Sequence, residues 1–189
     1  MKKLFLLPLL TIVFSALQAQ ETGTLTDSVD GKTYKTVKIG TQWVMAENFA
    51  YKPAKGNYWV PGEDTNNISK YGYFYDWQTA KIISPPGWHL PSKKEWETLY
   101  NYLGANKLKV FKQLIPGGKS GFNALYSGYR SGGETLWMGS STFYWSSTDD
   151  DGTNAWSFSV VGTDGWMAQL NNYCPYSDGL CVRLFKDVK

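Results

Sequence analysis

Histidine is nearly absent from this chain: one residue in 189, His89, beside only two cysteines, Cys174 and Cys181. That scarcity excludes most metal and thiol chemistry. A structural zinc asks for about four thiolate or imidazole ligands, and the chain cannot supply them. A nucleophile–His–acid centre would have to be built on His89 alone, and no nucleophile motif flanks it. Charge of one sign is missing as well. The formal net charge is +3, and Lys2 and Lys3 are the only charges in the first nineteen residues; without them it falls by two to +1. A near-neutral chain has no electrostatic case for nucleic acid. Nor is there a long hydrophobic run. The apolar stretch from Leu4 to Leu17 is broken by Pro8 and is shorter than the ~20 residues that cross a bilayer.

That stretch follows two lysines and runs into "LQAQ", with small Ala19 at a cleavage point. Residues 1–19 therefore read as a signal peptide and the protein as exported, to the periplasm, outer surface or medium. Residues 20–26 are expected to be a flexible lead-in and 27–189 a single domain. What the chain has in quantity is aromatic rings, with nine Trp, thirteen Tyr and nine Phe. Such content belongs to a folded protein with an aromatic core. In an oxidising compartment Cys174 and Cys181 are expected to pair. The bridge would close an eight-residue loop and stabilise the fold by roughly 2.5 kcal/mol.

Along the chain, "DGKTYKTVKIGTQWVMAENF" predicts a hairpin turning at Gly40-Thr41. Residues 51–70 hold Pro, Gly, Asn and Asp without periodicity and predict a long loop. Tyr73, Trp77 and Ala80 suggest a short helix over 75–82. Ser92 and Glu95 form a capping box, Trp96, Leu99 and Leu103 mark one buried helical face, and Gly104 stops that helix. A second helix is predicted over 106–114. Beyond residue 120, "TFYWSS", "NAWSFSVV", "GWMAQL" and "LCVRLF" read as short strands. The order is an α+β pattern. His89 sits among Pro85, Pro86, Gly87, Trp88 and Pro91, just before the cap. It is expected to belong to a structural corner with Gly87, Trp88, Pro91, Ser92 and Glu95 and to leave no reaction centre. A ring touching a thiol or a pair of acids in an open cleft would contradict that.

The segments "DGKTYKTVKIGTQWVMAENF", "PPGWHLPSKKEWETL", "SGFNALYSGYR", "YWSST" with "NAW", and "GLCVRLFKD" resemble, in this order, the Fibrobacter succinogenes major paralogous domain, over about residues 27–187. The likeness of that family to formylglycine-generating enzymes and C-type lectins implies a C-type-lectin-like fold. Short helices would pack on a mostly antiparallel twisted sheet, with long loops on one side. Family members often carry a cysteine before the Pro-x-Gly-Trp-His motif and another in the last strand. Here those positions are Ser84 and Leu184, so the family bridge does not carry over.

Three functions follow as expectations. The first is a secreted, non-catalytic module that binds a glycan or surface protein through its loops. Its candidate ligand residues are Tyr58, Trp59, Trp137, Asp149 and Asp151. "DDDGTN" also offers hard oxygens to Ca²⁺, though without EF-hand spacing; otherwise no cofactor is expected. The second is an oxidase like the formylglycine-generating enzymes, whose close cysteine pair would have to be Cys174 and Cys181. The third is a structural subunit of a surface assembly.

Overall fold

The computed structural model describes residues 20–163 and 165–188. The signal-peptide segment lies outside the described residues. Instead of a flexible lead-in, Thr22–Thr26 forms strand β1, paired antiparallel with β2 (Thr33–Ile39) from Thr22↔Val37 to Thr26↔Thr33. The alternation that secures it is short: Leu25 buries while its neighbours face water. β2 turns at Gly40, φ 62°, into β3 (Gln42–Met45), as the sequence predicts.

The 51–70 region is mostly irregular, but it carries β4 (Tyr58–Trp59), two single turns of 3₁₀ helix and α1 (Ile68–Tyr71). β4 pairs with β5 (Phe74–Tyr75). The predicted helix over 75–82 is one turn, α2 (Trp77–Ala80), capped by Asp76, whose side chain accepts the Thr79 N–H. Then come β6 (Trp88–His89), α3 (Lys93–Tyr102) and α4 (Lys107–Leu114). The capping box of Ser92 and Glu95 is present, and Gly104 ends α3 with φ 109°. A hairpin of β7 (Tyr129–Ser131) and β8 (Glu134–Leu136) leads to three long strands, β9 (Ser141–Asp149), β10 (Asn154–Val161) and β11 (Met167–Pro175). "LCVRLF" forms a strand only at its end, β12 (Phe185–Lys186).

Among the described residues, two larger sheets dominate. One has the order β1-β2-β3-β12-β6 and the other β11-β10-β9, all pairs antiparallel. Short helices and mostly antiparallel sheets make an α+β fold. The faces of β9–β11 follow the period of two. Tyr144, Phe158, Val160 and Ala168 point into the core that α3 and α4 cover with Trp96, Leu99, Phe111 and Leu114. Trp96 is the centre of that core: its ring stacks on Phe158 at 4.7 Å and its Nε1–H donates to the Trp145 carbonyl. The opposite face carries Phe143, Ser159, Val161, Gln169, Asn171 and Tyr173, and part of it is left open.

Arg183 is the other organising residue. It is 1% exposed and has no carboxylate partner within ion-pair distance among the described residues. Its guanidinium instead donates to Asn48 Oδ1 and to the carbonyls of Met45, Phe122 and Asn123, and lies over the Phe122 ring at 4.6 Å. One planar fork thus ties three separate stretches of chain together.

Candidate functional site

The corner at His89 is built, but its surroundings differ from the sequence expectation. Gly87 takes φ 81°, and β12 reaches β6 with Phe185 opposite His89. This brings Asp187 to the ring: His89 Nδ1 lies 2.6 Å from Asp187 Oδ1 and Nε2 lies 2.7 Å from Glu95 Oε1. The imidazole therefore touches a pair of acids, Glu95 from within the expected corner and Asp187 from outside it, a contact that the expectation of a purely structural corner did not include. Asp187 lies 98 residues away, so no local motif announces it. A carboxylate on each nitrogen favours the imidazolium form. The hydrogen bond to Glu95 raises its pKa, burial opposes, and the bond to Asp187 adds to the rise. Burial alone would push Glu95 up, but hydrogen bonds from His89 and Ser92 bring it down to about 2. The Ser92 hydroxyl donates to Glu95 Oε2, so it is aimed at the acid and not at the imidazole. In that form the ring has no free lone pair to take up a proton, and the two contacts tie the segment after β12 to the start of α3.

The cysteines are not paired. Cys181 bridges to Tyr144 in β9, while Cys174 sits in β11 opposite Ala155 of β10. Two whole strands, β9 and β10, lie between their segments, roughly 14 Å of lateral spacing, against the ~7 Å limit between Cα atoms of a disulfide. The expected staple fails because the chain crosses to the other edge of the sheet within seven residues. Burial pushes both thiols up to about 11. Cys181 is fully buried against the Ser127 hydroxyl and the Asn48 amide. At the two positions where the family bridge would sit, the Ser84 hydroxyl is buried with no hydrogen-bond partner among the described residues, and Leu184 is fully buried.

The candidate ligand residues separate. Tyr58 and Trp59 are half-buried in β4; Tyr58 packs edge-on against Tyr73, and Trp59 lies under the Arg130 guanidinium at 4.6 Å. Asp149 and Asp151 sit at the β9–β10 turn, the opposite end of β9 from Trp137. Asp149 accepts the Gly152 N–H, and one Asp151 oxygen accepts from the N–H groups of Thr153 and Asn154 and from the Thr153 hydroxyl. The other takes the Asn154 amide. These bonds, that of the Asn154 side chain foremost, hold the Asp151 pKa well below the usual range. The acids close their own turn. Among the described residues no group of three or more His, Cys, Asp or Glu side chains is placed to hold a metal ion.

Trp137, by contrast, lines a cleft. Two features place it. Gly128, φ 74°, runs so close beneath that a Cβ there would stand 2.2 Å from the Leu136 carbonyl oxygen. Trp137 itself is left-handed, φ 56°, a conformation that costs a bulky residue on the order of 1–2 kcal/mol. The residue remains 58% exposed, and its ring leans on Tyr129 and Phe143, with centroids 5.6 and 5.7 Å away. Together with Tyr173, which is 70% exposed, these rings wall a cleft of about 300 Å³ whose floor is Ser159, Gln169 and Asn171, with Asp178 and Cys174 alongside. The floor is prearranged: the Asn171 amide donates to Ser159 Oγ, and the Gln169 amide donates to Asn171 Oδ1. Sequence reasoning found Trp137 but missed the rest. A signal was present in the strands, where small polar Ser157, Ser159, Gln169 and Asn171 alternate with Phe158, Val160, Ala168 and Leu170.

Antiparallel sheets carrying short helices, with an aromatic-walled cleft over a polar floor on the open sheet face, define an α+β domain. The chain belongs to the Fibrobacter succinogenes major domain family, which it matches over residues 37–186. No curated protein and no solved structure matches it. No helix among the described residues is long and apolar enough to cross a membrane.

Proposed function

We propose that the protein is an exported, non-catalytic binding module of C-type-lectin-like build that takes a glycan in the cleft between the β7–β8 hairpin and the open face of β9–β11. The observation that carries this reading is Trp137, held in a strained backbone conformation with its ring turned to solvent over a floor of hydroxyl and amide groups. Strain of this kind persists where the surroundings enforce it and is concentrated at binding sites. Aromatic faces stack on the apolar faces of sugar rings, and paired amide and hydroxyl groups match sugar hydroxyls, each both donor and acceptor. An oxidase of the formylglycine-generating kind has less support, because its two cysteines would have to work across two intervening strands.

Isothermal titration of the protein against a panel of oligosaccharides tests the proposal. Trp137→Ala should remove the binding of any sugar that binds the wild type, at unchanged far-UV circular dichroism. Equal binding by that variant, or no sugar bound by the wild type, would refute it.

A further inference from the structure

The cleft contains one group that a neutral sugar does not need. Asp178 lines it and is only 8% exposed, yet among the described residues it makes no ion pair. Burial raises its pKa, and the Ser131 side chain, hydrogen-bonded to it, opposes that rise. Buried carboxylates are ordinarily paired. The rest of the lining carries no Lys or Arg: it is the rings of Tyr129, Trp137, Phe143 and Tyr173, the polar floor, Val161 and Cys174. Two cations on neighbouring elements, Arg130 and Lys107, are engaged elsewhere. Arg130 lies over Trp59, and Lys107 donates to Gln169 Oε1, at the end of β11 away from Asp178.

A partly buried carboxylate with no cation against it among the described residues, sharing a cleft with several aromatic rings, is the constellation that holds an organic ammonium: the rings attract the cation through their quadrupoles, and the acid supplies the opposite charge. A divalent metal ion is not its match: among the described residues no group of three or more His, Cys, Asp or Glu side chains is placed to hold one. Resting on the glycan reading above, we infer that the ligand carries a free amino group, an amino sugar whose ammonium sits against Asp178 within the cage of Tyr129, Trp137 and Tyr173. The floor of Ser159, Gln169 and Asn171 would take the hydroxyls of the same sugar.

The test is titration calorimetry of the full chain at pH 6 with three probes of equal length: a glucosamine tetramer, its fully N-acetylated counterpart and cellotetraose. The glucosamine tetramer should bind at least tenfold tighter than the other two. Asp178→Asn should abolish that preference while leaving the weaker neutral binding in place. The melting temperature of the variant, measured alongside, shows that it is folded. If all three probes bind alike in the wild type, or if Asp178→Asn keeps the preference, the amine inference is overturned and the glycan reading survives. If none of the probes binds, the inference is overturned. If no member of the wider sugar panel binds either, the glycan reading goes with it.

Discussion

Replacing His89 by Gln removes the cation from the clasp between β12 and α3 while keeping a side chain of similar length. The clasp consists of two charge-assisted contacts, 2.6 Å to Asp187 and 2.7 Å to Glu95. The side chains of His89, Glu95 and Asp187 remain 35%, 28% and 51% exposed. At that exposure each pair contributes about 0.5 kcal/mol, not the several of a buried pair. The total of about 1 kcal/mol corresponds to about 2–4 °C of Tm in a domain of this size. The pH dependence follows from the two shifts. The folded-state pKa of His89 is raised above 6.5, so its contribution is complete below pH 6.5 and is lost as pH rises through the raised value. That of Glu95 is lowered from 4.5 to about 2, so its contribution is present above pH 4.5 and is lost as pH falls toward 2. The clasp is therefore strongest between pH 4.5 and 6.5. Thermal melts of wild type and His89→Gln at pH 5.5 and pH 9 read it directly, because no second histidine titrates in the interval. The gap should be about 2–4 °C at pH 5.5 and should shrink strongly at pH 9. A gap that stays constant or widens with pH would refute the imidazolium clasp.

Arg183→Met should destabilise the fold by about 3 kcal/mol or more, because the acceptors Asn48 Oδ1 and the Met45, Phe122 and Asn123 carbonyls lose their donors; urea denaturation that shows a loss under ~1 kcal/mol would contradict the account of that residue. Thiol titration without reductant should find two thiols in denaturant, with Cys181 unreactive in the native protein, since burial keeps its pKa near 11; a single disulfide and no thiols would show the strand placement to be wrong. Asp151→Ala should open the β9–β10 turn and lower Tm by a few degrees, and millimolar Ca²⁺ should leave the wild-type Tm unchanged. A Ca²⁺-dependent rise in Tm that the substitution removes would restore the metal reading of that turn.

Much of the fold is legible because it is set by neighbours in sequence. The Ser92–Glu95 box, the Gly104 stop, the Gly40 turn and the alternation of β10 each need only a few consecutive residues to satisfy local hydrogen bonds and bury one face. For the same reason β1 was missed: with Leu25 as its one buried residue, its pairing with β2 decides its state, and pairing is not local. The same boundary runs through the functional residues. By itself, the sequence determined the family, the aromatic core, the proline-bounded corner at His89 and the candidacy of Trp137. Tertiary structure alone decided that His89 lies between Glu95 and Asp187, that the cysteines stand on opposite sides of two strands, and that Trp137 shares a cleft with Asp178. The physical reason is that a side chain's local preferences follow from its own backbone and near neighbours. Its polar partners and the solvent it keeps are fixed by segments that folding brings in from as far as 138 residues away, as Met45 is from Arg183.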